Sequence, residues 1–155
     1  MFKAFCPSCG ADVPFKSPAS VMAVCDYCQT TVLKDADSVK DIGKMASILE
    51  DYSPLQIGTT GIYQNQAFTV LGRIQLKYDD GLWNEWYTFF DNGKEGWLSE
   101  ASGQYVFTFA DGVANDAPAF ESLRPLSKYR LYSATDVRTA RCTGGQGELP
   151  FKVGK

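Results

Sequence analysis

The chain has 155 residues, 45% hydrophobic and 21% charged, with Phe 10, Tyr 8 and Trp 3. That is enough apolar surface for one packed core plus a small satellite module, and too much for a disordered chain. No histidine is present, which excludes a His general base, a Ser-His-Asp or Cys-His nucleophile and any His-bearing metal site. A net charge of -3 provides no electrostatic footprint for duplex nucleic acid.

The few residues ahead of Cys6 leave no room for the apolar region of a signal peptide, and the longest apolar run, Val21 to Val24, is far short of a membrane span. The expected address is the cytoplasm. Cysteines then come as two Cys-x-x-Cys pairs, Cys6/Cys9 and Cys25/Cys28, with fifteen residues between them, inside the window for four-thiolate zinc sites. Each pair forms a knuckle that points two sulfurs the same way, and two knuckles joined by a hairpin close a tetrahedron. Gly10 stands after the first pair, where a knuckle needs positive φ. Val13–Phe15 and Val21–Val24, separated by Lys-Ser-Pro-Ala-Ser, read as two short strands and a turn. An iron-bearing site uses similar knuckles. A thioredoxin-type pair needs a strand-to-helix setting that is missing here, and disulfides need an oxidising compartment. The expectation is a structural ribbon over 1–34, holding one closed Zn2+ on Cys6, Cys9, Cys25 and Cys28 and folding chiefly through the metal.

Residues 35–51 predict a connecting amphipathic helix. Asp37 or Ser38 offers a cap, Val39, Ile42, Ala46 and Leu49 recur at helical spacing, and Pro54 stops the run near Tyr52. From residue 52 to 155 the pattern is that of strands, giving a mainly-β domain, an antiparallel sandwich or small barrel. Asn65 marks a tight turn, and Phe68, Val70 and Ile74 are expected to point inward. Asn92-Gly93 signals a two-residue hairpin, while Ser102-Gly103 and Asp111-Gly112 punctuate the rest. Trp86, Thr88 and Phe90 share one strand face and Tyr87 and Phe89 the other, so both faces are apolar. Residues 114–127 read as loop with one helical turn, and 128–142 return to strand character. Cys142 reads as a small apolar strand residue rather than a reactive thiol.

Ten aromatic residues between Tyr78 and Phe109 read chiefly as core, with Trp83 the best candidate for an exposed exception. Glu85 and Glu100 are the carboxylates best placed among them for a binding or catalytic role. Trp83, Glu85, Trp97 and Glu100 therefore form the candidate binding surface, and no residue is assigned as catalytic.

Four segments, Gly72 to Leu76 (GRIQL), Trp83 to Tyr87 (WNEWY), Gly96 to Glu100 (GWLSE) and Gly147 to Pro150 (GELP), together resemble the bacterial DUF4178 family. Many of its members carry an N-terminal zinc ribbon like that spanning Cys6 to Cys28. The resemblance implies no chemistry. It does imply an association with polyamine- or membrane-stress-linked systems, in which contact with a membrane would be indirect. The combined expectation is a non-enzymatic zinc-ribbon adaptor that binds a protein partner. The alternative is a small-molecule binder or enzyme using carboxylates in an aromatic pocket of the β domain.

Overall fold

The computed structural model describes residues 2–110, 112 and 139–153. The expectations for 114–127, for most of 128–142 and for Asp111 lie outside the described residues. Among the described residues there are eleven strands and no helix: β1 (Phe2–Phe5), β2 (Asp12–Phe15), β3 (Met22–Val24), β4 (Thr30–Asp35), β5 (Ser38–Lys44), β6 (Thr60–Tyr63), β7 (Gln66–Tyr78), β8 (Gly81–Phe90), β9 (Glu95–Ala101), β10 (Gln104–Thr108) and β11 (Arg141–Leu149). The mainly-β antiparallel reading holds. β1 and β2 form a separate hairpin. All other strands belong to one sheet, ordered β10-β9-β8-β7-β11-β3-β4-β5, with β6 added beside the first part of β7. The path ends at β10 and β5, so the sheet does not close into a barrel.

The turn chemistry follows the sequence. Gln64 and Asn65, at φ 48 and 63, make the two-residue turn between β6 and β7, and Ser102 and Gly103, at φ 50 and 77, do the same between β9 and β10. Two successive positive φ values match the twist of the flanking strands. The Asn92-Gly93 hairpin forms where expected but with a different loop. Gly93 N donates to Phe90 O and Phe90 N to Lys94 O, enclosing three residues with Gly93 at φ 85.

The predicted helix over 35–51 is absent. Residues 38–44 form β5, paired with β4 from Asp35↔Ser38 to Thr30↔Lys44. Val39 and Ile42, set three apart as on a helix, are both half-buried in a strand because β5 has an irregularity in its register and Gly43 adopts φ 104. Edge pairing to β4 outweighs a helix propensity already weakened by that glycine. From Met45 to Leu55 the chain runs as an irregular strap over the sheet.

One bulge decides what faces what. The β7–β8 register shifts between Val70 and Gly72, which leaves Leu71 as the extra residue and exchanges the faces of β7 beyond it. Phe68 and Val70 pack with Trp86, Phe90 and Leu98. Ile74, expected on the same face, instead joins Met22 and Leu149. Arg73 and Gln75 are thereby turned to the Trp86 side.

Each face of the central strands has its own cover. The strap lies on the Trp86 face, with Leu55 against the Phe68 cluster. On the Tyr87 face, the loop between β2 and β3 reaches Tyr87 through Ser17 Oγ, 2.9 Å from the phenol oxygen. The Cys-bearing N-terminal part and the larger sheet are continuous, because β3 pairs β11 through Glu148↔Ala23 and Leu149↔Met22.

A candidate metal centre and two buried carboxylate clusters

The two knuckles are built alike. In the first, Gly10 N donates to Cys6 O and Cys6 N to Ala11 O; in the second, Gln29 N donates to Cys25 O and Cys25 N to Thr30 O. Gly10 and Gln29 hold equivalent places with φ 79 and 59. Glycine takes that conformation freely, whereas glutamine adopts it at a cost of about 1 kcal/mol.

The four sulfurs converge within 4.8 Å of one another, with 3.6 Å between Cys6 and Cys28 and between Cys9 and Cys25. A disulfide needs about 2.05 Å, so none is formed. A tetrahedron with metal–sulfur bonds of about 2.3 Å has edges of about 3.8 Å, and the observed spacing fits it. Cys6 and Cys25 are buried, Cys28 is half-buried and Cys9 lies at the exposed rim. The Cys28 thiol is pushed down to about 6, first by its 3.1 Å contact with the Thr30 hydroxyl and then by the Thr30 amide. At Cys9 the Ala11 amide acts downward, but desolvation and the neighbouring thiols prevail and push it up to about 12. A bound cation replaces the remaining protons and makes all four sulfurs thiolates. Among the described residues this is the one group of three or more Cys, Asp or Glu side chains arranged to hold a metal ion.

On the Trp86 face, a polar cluster joins the strap to β7, β8 and β9. Arg73 is buried, donates Nε to Asn84 Oδ1 at 3.0 Å and Nη2 to Asp51 Oδ2 at 2.7 Å, and stacks over Trp86 at 4.6 Å. Glu100, also buried, accepts from Ser53 Oγ at 2.7 Å, Asn84 Nδ2 at 2.9 Å, Tyr105 OH at 2.9 Å and Trp86 Nε1 at 3.2 Å. Burial alone would push Glu100 up, but these donors outweigh it and hold the carboxyl below the usual range. Asp51 behaves likewise: burial acts upward, and Asn84, Arg73 and the Ser53 amide bring the carboxyl down. Their contribution to stability is present above the ordinary carboxylate range and is lost as pH falls through the lowered folded values.

Glu148 on β11 is the opposite case. Its Oε1 accepts from Lys16 N at 2.6 Å, Ser17 N at 3.1 Å and Ser20 Oγ at 2.9 Å, yet burial prevails and pushes the carboxyl up. The folded state therefore holds more protons than the unfolded one between the ordinary and the raised value, and stability falls as pH rises through that window. Glu148→Gln keeps the Oε1 acceptor and is expected to leave stability at neutral pH unchanged or to raise it by about 1 kcal/mol, while abolishing that pH dependence. Glu148→Ala orphans the buried Ser17 amide and Ser20 hydroxyl and is expected to cost about 2–3 kcal/mol. Urea unfolding at mildly acidic and mildly alkaline pH distinguishes the two variants.

The candidate surface residues do not meet on one face. Trp83, Glu85 and Trp97 lie on the Tyr87 side and Glu100 on the Trp86 side. Glu85 accepts from Trp83 Nε1 at 2.8 Å and from Ser99 Oγ at 2.7 Å. Trp83 is half-buried with its ring 5.4 Å from Tyr78. Trp97 sits between Tyr87 and Phe151, with ring centroids 5.4 Å from each. Cys142 lies on β11 as an exposed strand residue; desolvation pushes its thiol up against the downward effect of its backbone contact with Gly144.

The four sequence segments that carried the resemblance, by contrast, do come together, on β7, β8, β9 and β11. A family model described as a domain of unknown function (DUF4178) matches residues 56–155. The chain belongs to the DUF4178 family. No curated protein and no solved structure matches it. Arg73, Gln75, Asn84, Trp86 and Glu100 of the DUF4178 domain form the face under the strap, and Glu148 of its Gly-Glu-Leu-Pro segment holds the ribbon loop. Asp51, Ser53 and Ser17 complete these clusters from outside the matched region. Asp51 at the end of the predicted helix, Ser53 just beyond it and Ser17 in the predicted turn gave no signal of that role.

Proposed function

We propose that the chain is a zinc-ribbon adaptor: one structural zinc on Cys6, Cys9, Cys25 and Cys28 fixes the knuckles, and the knuckle rim binds a protein partner. The observation that carries the reading is the convergence of four sulfurs at tetrahedral spacing beside two aromatic side chains left in solvent. Phe5 is 70% exposed and Tyr27 83% exposed, and aromatic residues of this kind are enriched at protein interfaces. With all four positions taken by protein thiolates, the zinc has no open site for substrate or water and acts structurally. The carboxylates an enzyme would use argue the same way. Glu85 and Glu100 are occupied by donors, and Glu100 is held down rather than raised, which is unsuited to a general acid at neutral pH.

Gently purified protein is expected to carry about one equivalent of zinc, with four thiols that react with a thiol reagent only after a chelator is added. Whole-chain bait is expected to retain a partner that Phe5→Ser/Tyr27→Ser bait loses while keeping its zinc. Less than about half an equivalent of metal removes the zinc reading, and a partner held equally by both baits removes the knuckle rim.

A further inference from the structure

The strap crosses the Trp86 face mostly on polar contacts, and alternate residues from Leu49 to Leu55 make them. Leu49 exchanges two backbone bonds with the buried Gln75 amide, N to Oε1 at 2.9 Å and O from Nε2 at 3.0 Å. Asp51 receives Arg73 and Asn84, Ser53 donates to Glu100, and Leu55 packs on the Phe68 cluster. The intervening Glu50, Tyr52 and Pro54 face solvent. Gly144 supplies clearance for the passing backbone, since a Cβ there would stand 2.9 Å from Ser47 O and 3.0 Å from Ala46 O.

Little apolar burial holds this segment in place. Leu49 is 60% exposed, and Tyr52 is 89% exposed in a left-handed conformation at φ 56. Segments with few buried apolar contacts open locally at low free energy. All the receiving groups, Arg73, Gln75, Asn84, Glu100 and the Phe68 cluster, lie in the family-matched 56–155, and the received segment lies before it.

We propose that this face of the DUF4178 domain is a recognition site for a peptide of the pattern Asp-x-Ser-x-Leu, kinked at the residue after the aspartate, and that residues 49–55 are its intramolecular occupant, exchangeable for the same pattern on a partner protein. Each element has its own reader. The Arg73 guanidinium and Asn84 amide take the carboxylate, Glu100 takes the hydroxyl, and the Phe68 cluster takes the leucine. Gln75 reads only backbone, and so selects an extended conformation two residues before the aspartate. The site is separate from the knuckle rim and needs no metal, so it stands or falls independently of the adaptor reading.

The test uses the full chain and a labelled peptide with the sequence of residues 45–55. In the wild type the tethered strap competes at the high effective concentration of a short linker. The D51A/S53A chain has lost two of its own pins, and is expected to bind the peptide at least about tenfold more tightly than wild type. Peptide carrying D51A is expected to lose that binding. Equal affinity for the two chains, equal affinity of the two peptides or no binding to the folded double variant each overturns the proposal. If the double variant does not fold, hydrogen exchange on the wild-type chain decides. Excess peptide is expected to speed exchange at the Leu49 amide, and unchanged protection at millimolar peptide overturns the site.

Discussion

Cys25→Ser is expected to abolish the metal binding proposed for the thiol cluster and to unfold residues 2–44, with the damage extending into β11. Cys25 is 1% exposed, and its cluster contains Cys6, Val13, Phe15, Ala23 and Val32, too few residues to fold a module of this size by apolar burial. Structural zinc in small thiolate modules contributes about 10–16 kcal/mol of apparent binding free energy, comparable to the roughly 5–15 kcal/mol that holds a whole domain together. Loss of a single ligand therefore removes more than the ribbon can supply by other means. The effect does not stop at the ribbon. Met22 on β3 is fully buried against Ile74 and Leu149, Val21 N donates to Leu149 O at 2.9 Å, and the loop donors to Glu148 lie between the two knuckles. Release of that loop leaves a buried carboxylate without its three donors, a loss of several kcal/mol on the β11 side. The β7–β8–β9 core has its own cluster and is expected to keep its protection. Metal analysis with hydrogen exchange, on Cys25→Ser and on chelator-treated wild type, measures both parts. Ribbon amides that remain protected in either sample would sink the claim that metal folds the ribbon, and intact β11 protection would sink the coupling.

How far the sequence speaks depends on how local each feature is. Two Cys-x-x-Cys knuckles are complete within a few residues each, and Gly10 signals its positive φ directly, so spacing alone points to the thiol cluster. Asn65 and Ser102-Gly103 are legible for the same reason. The apolar character of both faces of β8 is also readable, because Trp86 and Tyr87 are adjacent. By contrast, residues 38–44 carry a helical spacing and a cap, and only the presence of β4 alongside makes them a strand. The buried clusters are the least legible. Arg73 and Gln75 alternate with Ile74 and Leu76 as though facing solvent, and the bulge at Leu71 that turns them onto Trp86 leaves no mark in composition. Asp51 reads as the polar end of a helix, and Ser53 as a residue just past its stop. Glu148 meets Ser17 across 131 positions, a partnership that no periodicity can report. The four family segments were recognisable as text, but what they do, holding a strap on one face and a ribbon loop on the other, emerges only from the register of β7, β8, β9 and β11.

Gly72→Ala is expected to be the most destabilising glycine substitution in the described chain, for a reason of space rather than conformation. Gly72 does not have a positive φ, so its backbone suits any residue. A Cβ built there would stand 1.8 Å from the Glu148 carbonyl oxygen and 2.9 Å from its carbon. Both are backbone atoms, so no rotamer change gives relief. Its partner in register, Gly147, presses from the other side, with a Cβ only 2.2 Å from Leu71 O. To admit a methyl group, β11 must move away from β7, breaking Gln146↔Arg73 and Gly147↔Gly72 and withdrawing Glu148 from the ribbon loop. Overpacking that moves backbone, combined with a lost ladder and an unsatisfied buried carboxylate, belongs with the few substitutions that exceed about 4 kcal/mol. In a chain of this size that corresponds to a fall in Tm of roughly 10 °C or more. Gly93→Ala is the matched control. It has positive φ but nothing within 4 Å of the added Cβ, and is expected to cost only about 1 kcal/mol through conformation. Thermal and urea unfolding of the two variants side by side measures the difference. A Gly72→Ala chain within about 1 kcal/mol of Gly93→Ala would mean that β7 and β11 do not approach as closely as the register requires, and the Glu148 link between ribbon and family domain would fall with it.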